Sequence, residues 1–358
     1  MKFFRDVRFA LRTLRKAPSF TLTTALLIAV GVGAVTTIFT LVDHVLLRPL
    51  PYPEAERLVT LDNGSHSGPL FQRLRQSQTV ESWAGARVAN VSLTGVGDPL
   101  RLDEARVTRD FFGLFGARAD HGRLLLEQDF DAADAVVLDG GAWRRIWGAD
   151  PAVVGRTIQI DGNPVVVVGV LDAAFSPPEA VLGSTVDLWR PADWSWESLN
   201  SHEYKVLEVA GRLVDGSTVE AVQSEMDAII TVLAGEHRNY QRDDGSPSFT
   251  PVVPLADATV RGVRTGLGLL MGAVGLLLLI ACANVAHLFL ARGLGRTREM
   301  AVRRALGAGT STLTGQLLAE SLVVGLAGGA GGAALAALGL RSFMALNPSA
   351  LPRQEAVG

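Results

Sequence analysis

Three lysines, six histidines, one cysteine and many carboxylates are the groups in this sequence with the chemistry to act on a substrate. None of the lysines (Lys2, Lys16, Lys205) closes a G-x-x-x-x-G-K-[ST] loop, whose backbone amides and ammonium group cradle nucleotide phosphates. The chain therefore implies no ATP site of its own. The histidines (His44, His66, His121, His202, His237, His287) are scattered, and the stretch "SHEY" lacks the second histidine four residues on that a helical zinc site needs. Cys282 alone permits no disulfide framework and no cysteine cluster; its apolar neighbours predict a small buried side chain. No carboxylate pair can be placed about a scissile bond, and a solvated acidic surface is the expectation. Dinucleotide-type G-x-G-x-x-G loops are missing, and aromatics do not interleave with basic residues as nucleic-acid platforms require. The sequence thus predicts neither an enzyme nor a nucleic-acid binder, with no catalytic, metal-ligating or cofactor-binding residue.

The elements that must carry any function are read from apolar runs and charge. With 48% hydrophobic and 19% charged residues and a mean hydropathy of +0.27, the chain lies between a soluble enzyme and a polytopic membrane protein. Residues 20–42, 265–291 and 317–340 are long enough to cross a bilayer, which takes about 20 apolar residues. Only Glu320 interrupts the third. Signal peptides have apolar cores of about 7–15 residues and a small-residue cleavage site, unlike 20–42, which reads as an uncleaved anchor. Residues 1–18 hold six Lys/Arg against Asp6, and 292–316 holds five arginines against Glu299. The positive-inside rule puts both in the cytoplasm. Residues 48–261 hold 19 Lys/Arg against 31 Asp/Glu, a net of −12, and fall on the opposite side.

The predicted layout is a basic cytoplasmic arm (1–19), a first span (20–42), an extracytoplasmic domain (43–264), a second span (265–291), a cytoplasmic segment (292–316), a third span (317–340) and an extracytoplasmic tail (341–358). The large domain has a mixed α/β pattern. Residues 156–170 read as a hairpin turning at Asp161-Gly162-Asn163. Residues 215–233 read as an amphipathic helix with a Ser217/Glu220 capping box and a stripe of Val222, Met226, Ile229, Ile230 and Leu233. Short strands are expected between Leu58 and Val107 around a helix at 71–82, and 238–255 as a turn-rich return to the membrane.

Two stretches at the membrane carry further information. In "REMAVRRALGAGTSTLTGQLLAES", Glu299 and Arg303 are an i, i+4 pair, Ala301, Ala305 and Ala308 form a small-residue face, and Gly307 and Gly309 can end the helix. By charge alone the segment is equally an ordinary stop-transfer flank. In the third span Gly325, Gly328, Gly329 and Gly332 have the small-residue spacing that lets another helix approach closely, and Asn284 in the second can bond across helices.

The segment 298–332 resembles the signature of FtsX-like permeases, approximately R-E-I-A-I-R-R-A-L-G-A followed by Q-L-L-x-E-S and a glycine-rich span. Arg298, Glu299, Ala301, Arg303, Arg304, Gly307, Gln316 and Glu320 match it, while Met300 and Val302 replace the commoner isoleucine. Residues 3–59, 107–129, 142–171 and 209–226 are similar to MacB-like permeases, above all the acidobacterial duplicated orphan group. At Leu138-Asp139-Gly140-Gly141 the sequence departs from the usual leucine-serine, which reads as a turn.

The resemblance implies one span, a MacB-type periplasmic core with two subdomains, and three further spans. Here 265–340 is a partial FtsX-like domain, and the sequence after Leu340 lacks a fourth span and a second half, as a truncated chain or gene fragment would. It further implies a permease subunit that works as a homodimer, or paired with a second permease half, in the bacterial inner membrane, coupling ATP hydrolysis by a separate cytoplasmic ABC ATPase to movement of the outer domain in efflux or mechanotransmission. Arg298, Glu299, Arg303 and Arg304 are then the ATPase contact and the four glycines the helix packing. ATP belongs to the partner. Alternatives left open are a membrane-anchored binding or sensing module without transport, a non-functional fragment and, more weakly, a membrane-bound hydrolase.

Overall fold

The computed structural model describes residues 2–62, 64–95, 98–183, 186–192, 197–297, 301–302, 305 and 310–346. In chain order the elements are α1 (Lys2–Arg15), α2 (Pro18–Val42), β1 (Leu58–Leu61), β2 (His66–Ser67), α3 (Gly68–Leu74), β3 (Val80–Thr94), β4 (Leu100–Val107), α4 (Phe111–Phe115) and β5 (Ala119–Gly122). There follow α5 (Asp129–Ala132), β6 (Ala135–Leu138), α6 (Gly140–Trp147), β7 (Thr157–Ile160), β8 (Asn163–Leu171), α7 (Glu179–Leu182), β9 (Leu188–Pro191) and α8 (Glu197–Asn200). The last are β10 (Lys205–Leu213), α9 (Val219–Glu236), β11 (Val252–Pro254), α10 (Leu255–Gly295) and α11 (Thr310–Leu346). Two units result: Pro49–Arg261, and Met1–Arg48 with Gly262–Gly358.

The first unit is a mixed sheet with strand order β11-β1-β10-β3-β4-β9-β6-β8-β5; β2 adds to β10, and β7 pairs with β3 and β8. Only β4/β9 and β6/β8 are parallel among the described pairings. The two subdomains implied by the resemblance therefore share one sheet. Alternation along β4 explains how its two sides are covered. Ala105 and Val107 join Phe111, Phe115 and Trp189 in one core, whereas Leu102 on the other side joins Leu138, Ile160, Val167 and Leu188. A third core lies where α9 places Val222, Met226, Ile230 and Leu233 against Trp83, Leu207 and Val209; Ile229, on the edge of the expected stripe, is half-buried.

The hairpin is where the sequence predicts it. Asp161 (φ 50°) and Gly162 (φ 77°) both take the left-handed conformation that a tight two-residue turn demands, and β7 and β8 pair from Ile160↔Asn163 outward. Three local expectations are corrected. The cap of α9 is Thr218, whose hydroxyl accepts from the Ala221 amide, so the cap falls one residue after Ser217. Asp139 does not make a simple turn: its carboxylate accepts from the Gly141 and Ala142 amides and caps α6. The helix expected at 71–82 is α3, which ends at Leu74, and by Val80 the chain is already strand.

The reason for that early end is a tertiary contact. Glu225 of α9 accepts from the Ser77 hydroxyl (2.6 Å), the Gln78 amide (2.9 Å), the Thr79 amide (3.3 Å) and the Thr79 hydroxyl, which takes the Gln78 and Thr79 amides out of any helical ladder. Burial by itself would raise the Glu225 carboxyl, but the Ser77, Thr79 and backbone donors outweigh it and hold the group below its usual 4.5. A depressed carboxylate stabilises the fold above the unfolded value, and that contribution is lost as pH falls through the folded value. In thermal unfolding of the purified full chain from pH 6 to pH 3, the native protein should lose stability below about pH 4.5. Glu225→Gln, which cannot ionise, should start lower and show a shallower acid limb; parallel curves for the two would refute this.

Among the described residues three helices are long and apolar enough to cross a membrane: Pro18–Leu47, Leu255–Gly295 and Thr314–Ser342. α10 is longer than the expected second span because its first residues belong to the sheet unit, where Leu255 is fully buried. Its apolar residues beyond that point are largely exposed within the chain, as with Leu269, Leu276 and Leu279. Cys282 is exposed among them, against the expectation of burial. The reason is that a membrane helix satisfies its apolar surface with lipid or another chain, not with its own interior. Asn284 is likewise exposed within the chain.

Candidate functional site

Gly328 and Gly332 sit where α11 crosses α2. A Cβ on Gly328 would lie 2.6 Å from the Ile28 Cβ, and one on Gly332 would lie 2.8 Å from the Val32 Cβ and 3.0 Å from the Ala29 carbonyl oxygen. The approach is reciprocal, since a Cβ on Gly33 would lie 3.1 Å from the Gly332 carbonyl oxygen. Gly325 and Gly329 face open space, with nothing within 4 Å. Of the four glycines named from the sequence, Gly328 and Gly332 lie against α2 within this chain and Gly325 and Gly329 do not. The working stripe is Val324, Gly328, Gly332 and Ala336, all buried at a spacing of four. Composition marks any glycine as permissive; only the rotation of α11 about its axis selects the row.

Nearer the N-terminal ends of α2 and α11 a charge cluster lies inside the apolar unit. Glu320 is 2% exposed, and Arg296 donates from Nη1 to both its carboxylate oxygens at 3.0 Å. Arg292 approaches the same carboxylate at 3.8 Å and lies 4.2 Å over the ring of Phe20, which meets Phe289 edge-on at 5.3 Å. α2, α10 and α11 thus converge on one carboxylate. In the sequence Glu320 reads only as an interruption of an apolar run; the visible signal is an acid at the start of a span with two arginines at the end of the preceding one. Arg298, Glu299, Arg303 and Arg304, the expected ATPase contact, lie outside the described residues, as do Ala308, Gly307 and Gly309.

In the sheet unit the structure gathers groups that are far apart in sequence. His202 and His237 stack with ring centroids 3.6 Å apart, His202 Nδ1 is 2.9 Å from the Tyr240 hydroxyl, and that hydroxyl is 2.6 Å from Ser67 Oγ. Stacked rings hold their lone pairs in near-parallel planes, which do not converge on one ion. Among the described residues no group of three His, Cys, Asp or Glu side chains is placed to hold a metal. Nearby His66 is buried; desolvation, then the charge of Lys205, push it down to about 4, so it is neutral at pH 7. The cavity beside the stack, about 220 Å³, is lined by Gln72, Arg73, Gln76 and Glu236 as well as both histidines.

Three helices long and apolar enough to cross a membrane, with a large mixed α/β unit in the chain between the first and second, give the layout of a polytopic membrane protein. A family model for the MacB-like periplasmic core domain matches residues 21–229, more than half of the chain, and one for the FtsX-like permease C-terminal matches 271–353. The chain belongs to the MacB/FtsX-like family of ABC transporter permeases. Among curated relatives, the macrolide export ATP-binding/permease protein MacB of Agrobacterium fabrum is 30% identical over 312 residues, covering 84% of this chain and 43% of that protein. The MacB of Salmonella typhimurium is 25% identical over 332 residues (88% and 49%), and that of Chromobacterium violaceum 29% over 251 residues (69% and 35%). The chain thus spans about a third to a half of the length of these relatives. Similar solved structures include the periplasmic region of MacB from Actinobacillus actinomycetemcomitans, 16% identical, covering 59% of this chain and 94% of that one at a TM-score of 0.44. The extracellular domain of the noncanonic ABC-type transporter YknZ is 13% identical, covering 55% and 99%, at a TM-score of 0.41.

Proposed function

We propose that this chain is the permease subunit of an ABC-type export or mechanotransmission system, in which an ATP-binding partner in the cytoplasm drives movement of the sheet unit outside. The observation that carries this is the joint occurrence of a MacB-like core domain and an FtsX-like C-terminal region, with the arginine-rich segment 298–304 between the second and third spans. Charge supports the orientation. The basic residues of 1–18 and 292–316 fall on one side of the predicted spans and the acidic 48–261 on the other, so the N-terminus is cytoplasmic and the sheet unit extracytoplasmic. ATP is bound by the partner, and two copies, or this chain with a second permease half, form the working pair. The curated relatives are named for macrolide export, which makes macrolides the first substrates to assay; family alone does not select one.

Mechanically, binding energy at the cytoplasmic side must differ between two arrangements of the spans for ATP hydrolysis to move the outer unit. Arg298, Glu299, Arg303 and Arg304 supply the contact: guanidinium groups can pair with carboxylates of an ATPase groove, and Glu299 can accept in return. The test is co-purification with a co-expressed ATP-binding subunit. Charge reversal with Arg303→Glu and Arg304→Glu should abolish association and the associated stimulation of ATP hydrolysis. Unchanged association and stimulation would overturn the reading.

A further inference from the structure

The cluster around Glu320 is more than a structural ion pair placed at random. A carboxylate inside a spanning segment is costly to desolvate and persists where cations and hydrogen bonds compensate it. Arg296 supplies both hydrogen bonds from one nitrogen, Arg292 adds a second positive charge, and Arg292 reaches α2 through the face of Phe20. Along the chain Arg296 and Glu320 bracket residues 297–319, the stretch that contains Arg298, Glu299, Arg303 and Arg304. The pair closes the base of that stretch at 3.0 Å, tying the residue that follows the end of α10 to α11 ten residues after that helix begins at Thr310.

We infer that Glu320, held by Arg296 and Arg292, is the positioning residue that makes a displacement of the 298–304 segment arrive at all three spans as one movement. The inference rests on the reading of that segment as the contact with an ATP-binding subunit. Were the base open, a push on the segment would be taken up by separation of α10 from α11 and would not reach α2. Glu320 acts by fixing the geometry through which force passes, not by touching nucleotide or cargo.

The experiment uses the full chain in lipid nanodiscs with the ATP-binding subunit that co-purifies with the wild type. Arg296→Gln removes the pair while leaving Arg292 beside Glu320, so the carboxylate stays compensated and the chain folds. Association should remain, while stimulation of MgATP hydrolysis by the permease should fall at least about fivefold, the lower end of ordinary coupling. Arg296→Lys, which keeps a charged single-nitrogen donor, should retain stimulation within about twofold by the same reasoning. Glu320→Gln should behave as Arg296→Gln if it inserts. Wild-type stimulation in Arg296→Gln would overturn the inference, and so would parallel loss of association and stimulation in that variant, which is the mark of a merely structural residue. Neither result is confused with failure of the underlying reading, which shows instead as intact association after reversal of Arg303 and Arg304.

Discussion

Glu104→Ala should lower the stability of the sheet unit by about 3–5 kcal/mol, the cost of breaking a buried ion pair from one side. Glu104 is 1% exposed; its two oxygens meet Arg106 Nε at 2.9 Å and Arg190 Nη1 at 3.2 Å. The parallel pairing of β4 with β9 sets Arg106 beside Arg190, and both guanidinium groups turn to the one carboxylate. Arg190 also donates to the Ala133 carbonyl oxygen, so it cannot swing into water without giving up a second bond. Alanine at position 104 leaves two enclosed cations facing each other. Glutamine keeps one acceptor oxygen and should cost less, although it neutralises neither charge. Thermal unfolding of the full chain, followed by fluorescence of the buried Trp83 and Trp189, measures both variants. A Glu104→Ala loss below about 1 kcal/mol, the value of a solvent-exposed pair, would show that the cluster is solvated.

Gly332→Leu should separate α2 from α11, whereas Gly329→Leu should be tolerated. At position 332 the new side chain has to begin 2.8 Å from the Val32 Cβ and 3.0 Å from a backbone oxygen, so no rotamer avoids the clash and the helices must part. Overpacking of this kind costs about 1–3 kcal/mol before the lost contacts along the rest of the stripe are added. At 329 nothing stands within 4 Å. Disulfide cross-linking between cysteines introduced at Ala29 and Gly331, where a Cβ on Gly331 would lie 3.3 Å from the Ala29 Cβ, reads the helix separation with each leucine variant in turn: it should persist with Gly329→Leu and fall sharply with Gly332→Leu. Equal cross-linking in both would mean that the close approach is absent in the membrane.

The contrast between positions 329 and 332 also shows where sequence reasoning stops. Four glycines at small-residue spacing mark a helix able to approach a neighbour, but two rows of them fit the same pattern. Which row is used depends on the angle at which α11 meets α2, a property of both helices. Glu104 makes the same point for charge. In the acidic stretch 48–261 a carboxylate reads as solvated surface, and most of that stretch obeys; Glu104 differs because both sides of β4 are covered, which alternation along one strand does not announce. Glu225 is a third case, in which residues 77–79 have the polarity to continue α3 and are drawn out of it by a carboxylate nearly 150 residues away.

By itself the sequence determined the spans, the charge asymmetry about them, the hairpin at Asp161-Gly162, the apolar stripe of α9 and the family signature. Each depends on local period, length or composition, quantities that a linear chain carries. The tertiary structure alone decided that one sheet runs through the whole unit from Pro49 to Arg261, that Gly328 and Gly332 are the packed glycines, that His202 lies on His237, and that Glu320 gathers Arg296, Arg292 and Phe20. These depend on burial and on meetings between distant residues: the worth of a charge or a missing side chain is set by what surrounds it, and the surroundings exist only once the chain has folded.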